Sequence, residues 1–261
     1  MLSAEERSPL RAGLQLAKFV FAAQSHGEIV LLDLATDKYY GLDSDASRAL
    51  VDALRGIVPN PTVSGRTLET ISWLRSKGLV EPFDNVTSSE PRNFVSVAAE
   101  PGGLSTLDVT GYKLRGTARP GLRLVLQAFL MLARVDRIAS RKSISGVVRA
   151  IHLAQSIVPR PATTLSKQDT NIARILEASA QAILLYPRRV DCLVRAAALT
   201  LLLLKNGIHA TAFVVGVQKY PFYAHAWVEH DESVLGDSEE VRRRLAPLVR
   251  VARDRTERCA L

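Results

Sequence analysis

The stretch "DCLVRAAALTLLLLKNGIHATAFVVGVQKYPFYAHAWVEHDESVLGD", residues 191–237, changes its periodicity once, and that change sets the fold. Its first part is a run of good helix formers, and Asn206 and Gly207 supply a stop. Pro187 closes the segment before it and Asp191 is placed as an N-cap, which predicts Cys192 in the first turn of a helix reaching Asn206. Beyond Gly207 the pattern becomes that of strands: IHATAFVVGVQ (208–218), AHAWVEHD (224–231) and a short VLG.

Working outward, residues 119–158 are helix-favouring, with apolar residues three and four apart, and a second helix is expected over 166–185. A final helix is expected through EEVRRRLAPLVRV. Helices followed by a small antiparallel sheet describe an α+β domain. Upstream, AKFVFAAQ (17–24), EIVLLDL (28–34) and DKYYGL (37–42) read as a three-stranded meander with short turns. Two helices follow, capped by Asp43 or Ser44 and by Ser64 or Thr67, with Gly56 and Gly78 as stops. Such a unit suggests a winged-helix-like shape. Between the two regions, DNVTSSEPRNFVSVAAEPGGLST concentrates Ser, Thr, Pro and Gly and reads as a connection. The expected organisation is a recognition-sized domain over 1–84, a linker over 85–106 and a larger domain over 107–261.

With 261 residues, 47% of them hydrophobic, the chain can bury a substantial core. The most apolar uninterrupted run, Ala196–Leu204, lies between Arg195 and Lys205 and is far short of the roughly 20 residues a bilayer requires. The N-terminal MLSAEERSPLRAG lacks an apolar signal core, so a soluble, cytoplasmic protein is expected. Two cysteines, Cys192 and Cys259, form no disulfide framework and no zinc spacing, and Cys259 falls in a charged C-terminal tail. Residues 1–84 carry nine basic and eleven acidic side chains, whereas 85–261 carry 25 and 15. The basic half admits nucleic acid, an acidic peptide or another protein as partner, and equally admits solvated helix faces.

Cys192 is either a small core residue or a nucleophile. A helix N-terminus favours the thiolate, while Asp191 beside it disfavours ionisation, so a histidine partner is required. Among the five histidines, His26 falls in a turn, His152 on a helix and His209 after a helix stop. His225 and His230 share one strand but, being five residues apart, face opposite ways. His225 shares its face with Trp227 and Glu229. A hairpin after Asp231–Ser233 returns Asp237 toward His225, while Asp231 sits at the turn itself.

Two resemblances add to this reading. "EIVLLDLATDKYYGLDSDASRALVDAL" resembles the PqqD-like peptide-recognition element of ribosomal peptide modification, over about residues 14–83. That resemblance implies capture of an extended peptide between the DKYYGL strand and the last helix, with Tyr39, Tyr40, Ile71, Leu74 and Arg75 as contacts. The 191–237 stretch resembles the transglutaminase-like leader peptidase, the B protein of lasso peptide biosynthesis, through CLxRA, the NGI stop, FVVGV, HAWVE and the following Asp.

The second resemblance implies a papain-like cysteine peptidase with Cys192 as nucleophile, His225 as base and Asp237 as the orienting carboxylate. Hydrolysis of this kind needs no metal or organic cofactor. The implied partners are a ribosomal precursor peptide and a separate asparagine-synthetase-like cyclase. No Gln or Asn is strongly signalled before the cysteine as an oxyanion donor; backbone N–H groups near Cys192, Gln168 and Tyr186 are the candidates. Rival readings are a precursor chaperone without chemistry, an acyl-transferring enzyme, and DNA binding dependent on Arg242–Arg244.

Overall fold

In a computed structural model, residues 13–57, 64–83, 93–96, 119–157 and 165–252 are described. The chain divides into two units between Ala99 and Glu100, inside the expected linker.

The first unit contains β1 (Gly13–Leu16), β2 (Val20–Ser25), β3 (Glu28–Asp33), β4 (Lys38–Leu42), α1 (Ser44–Leu54), α2 (Ser64–Ser76), β5 (Val80–Phe83) and β6 (Phe94–Ser96). The β2–β3 hairpin turns on His26 and Gly27, both at positive φ (54° and 78°), the backbone that a two-residue loop between twisted strands requires. Asp43, not Ser44, caps α1, its carboxylate accepting from the Ala46 N–H at 2.8 Å. Gly78, at φ 68°, ends α2 in the left-handed region where glycine carries no Cβ penalty. The core forms where the apolar face of the sheet, through Ile29 and Leu31, meets Leu50 of α1 and Leu74 of α2.

The expected meander is present as β2–β3–β4 but is not the whole sheet. β6 adds to its far edge, parallel to β2, giving the order β4-β3-β2-β6, while β1 and β5 pair separately. The 85–106 connection is therefore not irregular throughout. Three residues of polar surroundings carry too little pattern to announce a strand, and β6 takes its register from β2 instead.

The second unit contains α3 (Leu122–Ile157), α4 (Leu165–Leu185), α5 (Cys192–Lys205), β7 (Thr211–Gln218), β8 (Tyr223–His230), β9 (Ser233–Leu235), α6 (Glu240–Arg244) and β10 (Ala246–Ala252). α3 is two helical pieces meeting at Ser143, whose φ of 51° and ψ of −149° are not helical. α5 is buried from Ala196 to Leu204, because it packs on α3 and α4 as well as on β7 and β8. The sheet is antiparallel in the order β10-β7-β8-β9.

The final helix is shorter than its sequence suggests. It stops after Arg244, and Ala246–Ala252 is a strand on the edge of β7. Pro247 cannot continue a helix interior, and Val249 and Val251 are buried along the strand. The arginines gave residues 239–251 a helical appearance that the proline cancels.

Candidate active site

Asp191 has extended backbone (φ −79°, ψ 171°) and its carboxylate accepts from the Val194 N–H at 2.8 Å. The cap starts α5 at Cys192, placing the half-buried thiol among the first N–H groups of a well-formed helix. β8 runs alongside, and its period of two brings Tyr223, His225, Trp227 and Glu229 to one face. The Tyr223 and His225 rings lie 5.9 Å apart and those of His225 and Trp227 6.5 Å apart, each pair inclined by 13°. Trp227 Nε1 donates to Glu229 Oε1 at 2.9 Å, and Glu229 also holds Arg250 of β10.

This ladder fixes the plane of the His225 ring. Its Nε2 lies 2.8 Å from Asp237 Oδ2, with both side chains only 3% exposed. The turn after β9 supplies Asp237, and its other oxygen, Oδ1, accepts the Ser238 N–H at 2.9 Å. Because Nε2 is committed to Asp237, Nδ1 is the nitrogen left for the thiol. Cys192 is hydrogen-bonded to His225 and to the Ala226 backbone.

The electrostatics follow from these contacts. Burial pushes the Cys192 thiol up, but the hydrogen bond and charge of His225, together with the Ala226 bond, outweigh it and bring the thiol below its ordinary value. Asp191 acts in the opposite direction, as its position beside the thiol predicts. Burial lowers His225, yet its hydrogen bonds to Asp237 and Cys192, and the charges of both, raise it above the usual imidazole value. Each partner favours the ionised form of the other, so the arrangement promotes a thiolate–imidazolium pair.

Cys192, His225 and Asp237 are thus brought together. Sequence reasoning missed two further contributors. Arg195, one helical turn beyond Cys192, donates from Nη2 to the same Asp237 Oδ2 at 2.7 Å; its place in CLxRA was the available signal. Tyr223, whose hydroxyl lies 3.4 Å from His225 Nδ1, was visible only as the residue two before His225 on one strand face.

Among the expected oxyanion donors, Tyr186 gives its O–H to Asp136 at 2.8 Å and is not offered to the thiol. The Gln168 side chain and Cys259 lie outside the described residues. His230 turns to the Ala210 carbonyl at 3.0 Å, and Asp231 stays at the turn with positive φ.

The five expected peptide contacts do not form one surface. Leu74 is fully buried and belongs to the core, because its face of α2 is the one that closes on the sheet. Tyr39 and Tyr40 are adjacent on β4 and face opposite ways; Tyr40, opposite Leu31, packs with Ile71 against the core. Tyr40 also meets Trp73 edge-on at 5.8 Å, a partly exposed residue the sequence reading passed over. Arg75 is half-buried, and its Nε has no hydrogen-bond partner among the described residues.

Residues 159–250 match the family model described as the Transglutaminase-like superfamily, a span that includes Cys192, His225 and Asp237. The second unit therefore carries a transglutaminase-like domain, and that superfamily includes both peptidase-like and acyl-transferring cysteine enzymes. Comparison with curated proteins and with solved structures returned no match. Among the described residues, no helix is long and apolar enough to cross a membrane.

Proposed function

We propose that this chain is a cysteine endopeptidase that removes the leader from a ribosomally made precursor, as the B proteins of lasso peptide biosynthesis do. The observation that carries the reading is the Cys192–His225–Asp237 relay, with Asp237 on one imidazole nitrogen and the thiol left to the other. His225 takes the thiol proton, and Cys192 attacks the scissile carbonyl to give a thioester. The leaving amine collects the proton, and water then releases the leader. A scaffold without chemistry has no need to hold these three side chains in this order, which argues against a chaperone.

The PqqD-like reading of the first unit supports a division of labour. β4 is an edge strand, and Tyr40 and Trp73 stand together beside it, so an extended leader can add to β4 while α2 contributes side-chain contacts. Holding the leader on the same chain raises the effective concentration of the scissile bond at Cys192. The freed core amine is the substrate that an ATP-dependent, asparagine-synthetase-like cyclase requires. Arg242–Arg244, offered above as a nucleic-acid contact, are paired with Glu232 and Glu240, which weakens that alternative.

The test is mass spectrometry of the precursor after incubation with wild type and with Cys192→Ala, with and without a primary amine. Cleavage at one bond by wild type alone supports the reading. Amine adducts in place of free acid convert it to acyl transfer, and intact precursor with both proteins, even with the cyclase present, leaves the chaperone.

A further inference from the structure

Acyl transfer through a thiol develops negative charge on the substrate oxygen, and a preorganised donor aimed at that charge is usually among the largest contributions to rate. No Gln or Asn precedes Cys192 closely, and Tyr186 has its O–H committed to Asp136. One hydroxyl does stand at the reacting atoms. Tyr223 opens β8, two residues before His225, and its Oη lies 3.4 Å from His225 Nδ1, the nitrogen left for the thiol.

Its ring is held nearly parallel to that of His225, inclined by 13°, so the hydroxyl has a fixed direction. The hairpin in front of it is tied by Gln218 Nε2 donating to the Pro221 carbonyl at 3.1 Å. Resting on the assignment of Cys192 as nucleophile, we propose that Tyr223 is a catalytic residue whose Oη donates a hydrogen bond to the oxyanion formed when Cys192 attacks.

The contact of 3.4 Å is long for a hydroxyl bond, as expected of a donor whose better acceptor arrives with the substrate. The Cys192 Sγ–carbon bond forms as the carbonyl π pair moves onto oxygen, two bonds from Sγ, beside Oη. Tyr223 keeps its proton throughout. When the pair returns, the amine leaves with the proton held on His225 Nδ1. Water then attacks the thioester as Nδ1 takes its proton; collapse expels the thiolate, and the second oxyanion meets the same hydroxyl. Burial, followed by the charges of Cys192 and Asp237, raises the phenol above its ordinary value, which keeps it a donor in the working range.

The experiment compares two modifications of Cys192 in a Cys259→Ser background, for wild type and for Tyr223→Phe, after matched circular dichroism and melting. Alkylation by iodoacetamide displaces iodide and develops no oxyanion. Acylation by p-nitrophenyl acetate passes through one. The expected result is alkylation within about twofold of wild type and acylation slowed about tenfold to hundredfold, up to the lower end of the range for loss of one oxyanion donor.

Acylation within about twofold of wild type overturns the proposal. Equal slowing of both reactions also overturns it, because Tyr223 would then be tuning the thiolate. If wild-type Cys192 takes neither label, the nucleophile assignment fails and the proposal falls with it. If the labels behave as expected while the precursor stays uncut, Tyr223 keeps its role and only the leader-peptidase reading is lost.

Discussion

Arg195 and His225 converge on a single oxygen, Oδ2 of Asp237, at 2.7 and 2.8 Å. The guanidinium, 20% exposed at its side chain, joins the helix that carries the thiol to the turn that carries the carboxylate. It fixes where Oδ2 stands and moderates the support that carboxylate gives to the imidazolium. Arg195→Met is expected to lower kcat for precursor cleavage about tenfold, since a loosened carboxylate misaligns the base. Removing a positive charge near His225 also favours its protonated form, so the alkaline limb of the pH–rate profile should move upward. Arg195→Lys, which keeps the charge but not the fork, should restore the limb more fully than the rate. An unmoved limb and an unchanged kcat in Arg195→Met exclude this positioning role.

The opposed shifts of the thiol and the imidazole define the active window. On the proposed mechanism, the Cys192 nucleophile is protonated below its depressed value, and above the raised value of His225 the proton needed by the leaving amine is gone. The profile of kcat/KM should therefore be a bell, with its acid limb below the ordinary thiol value of 9.0 and its alkaline limb above the ordinary imidazole value of 6.5. Asp237→Asn withdraws the anion that raises His225, so the alkaline limb should fall to lower pH. The rate should drop on the order of a hundredfold or more. Thiolate absorbance near neutral pH, read in the ultraviolet, should fall with it. A thiolate signal unchanged in Asp237→Asn removes Asp237 from the relay.

Much of the second unit was legible because its signals are local. Asp191 and Gly207 bracket α5 in the sequence as they do in the structure, and alternation along β8 by itself separates His225 from His230. What escaped depends on contacts between distant elements. Arg195 meets Asp237 across 42 positions, and no spacing rule reaches that far. β10 was hidden by helical arginine spacing, and β6 by a polar stretch that becomes a strand only against β2. Leu74 was misplaced because periodicity marks an apolar helix face without saying which of its residues the sheet closes over.

Gly216 pairs with His225 across β7 and β8, and the Trp227 ring lies over it. A Cβ built there would stand 2.5 Å from Trp227 Cη2, so Gly216→Ala must displace a large, fully enclosed ring. Overpacking of this kind costs about 1–3 kcal/mol, which corresponds to a loss of roughly 2–12 °C in Tm for a domain of this size. Trp227 also stacks on His225, so activity should fall by more than the loss of folded protein explains. Calorimetric melting alongside cleavage at a temperature where the variant is folded checks both. Normal kcat in a destabilised Gly216→Ala would show that the ring ladder supports the fold and not the base.

If the first unit captures a leader as proposed, fewer groups than the five named from the sequence are placed to do it. Leu74 is core, so its truncation would damage folding and say nothing about binding. Trp73 is different, because it is 39% exposed while its ring still meets Tyr40 of the edge strand. An added strand on β4 gains main-chain hydrogen bonds from any sequence, and its selectivity must come from side chains beside that edge. Trp73→Ala is expected to weaken binding of a synthetic leader peptide about tenfold or more, in keeping with an aromatic anchor. Titration calorimetry gives the affinity directly. Cleavage kinetics should then show the loss in KM for the full precursor, with kcat at saturation close to wild type. Unchanged leader affinity in both Trp73→Ala and Tyr40→Ala would move the leader site away from the β4–α2 side of the unit.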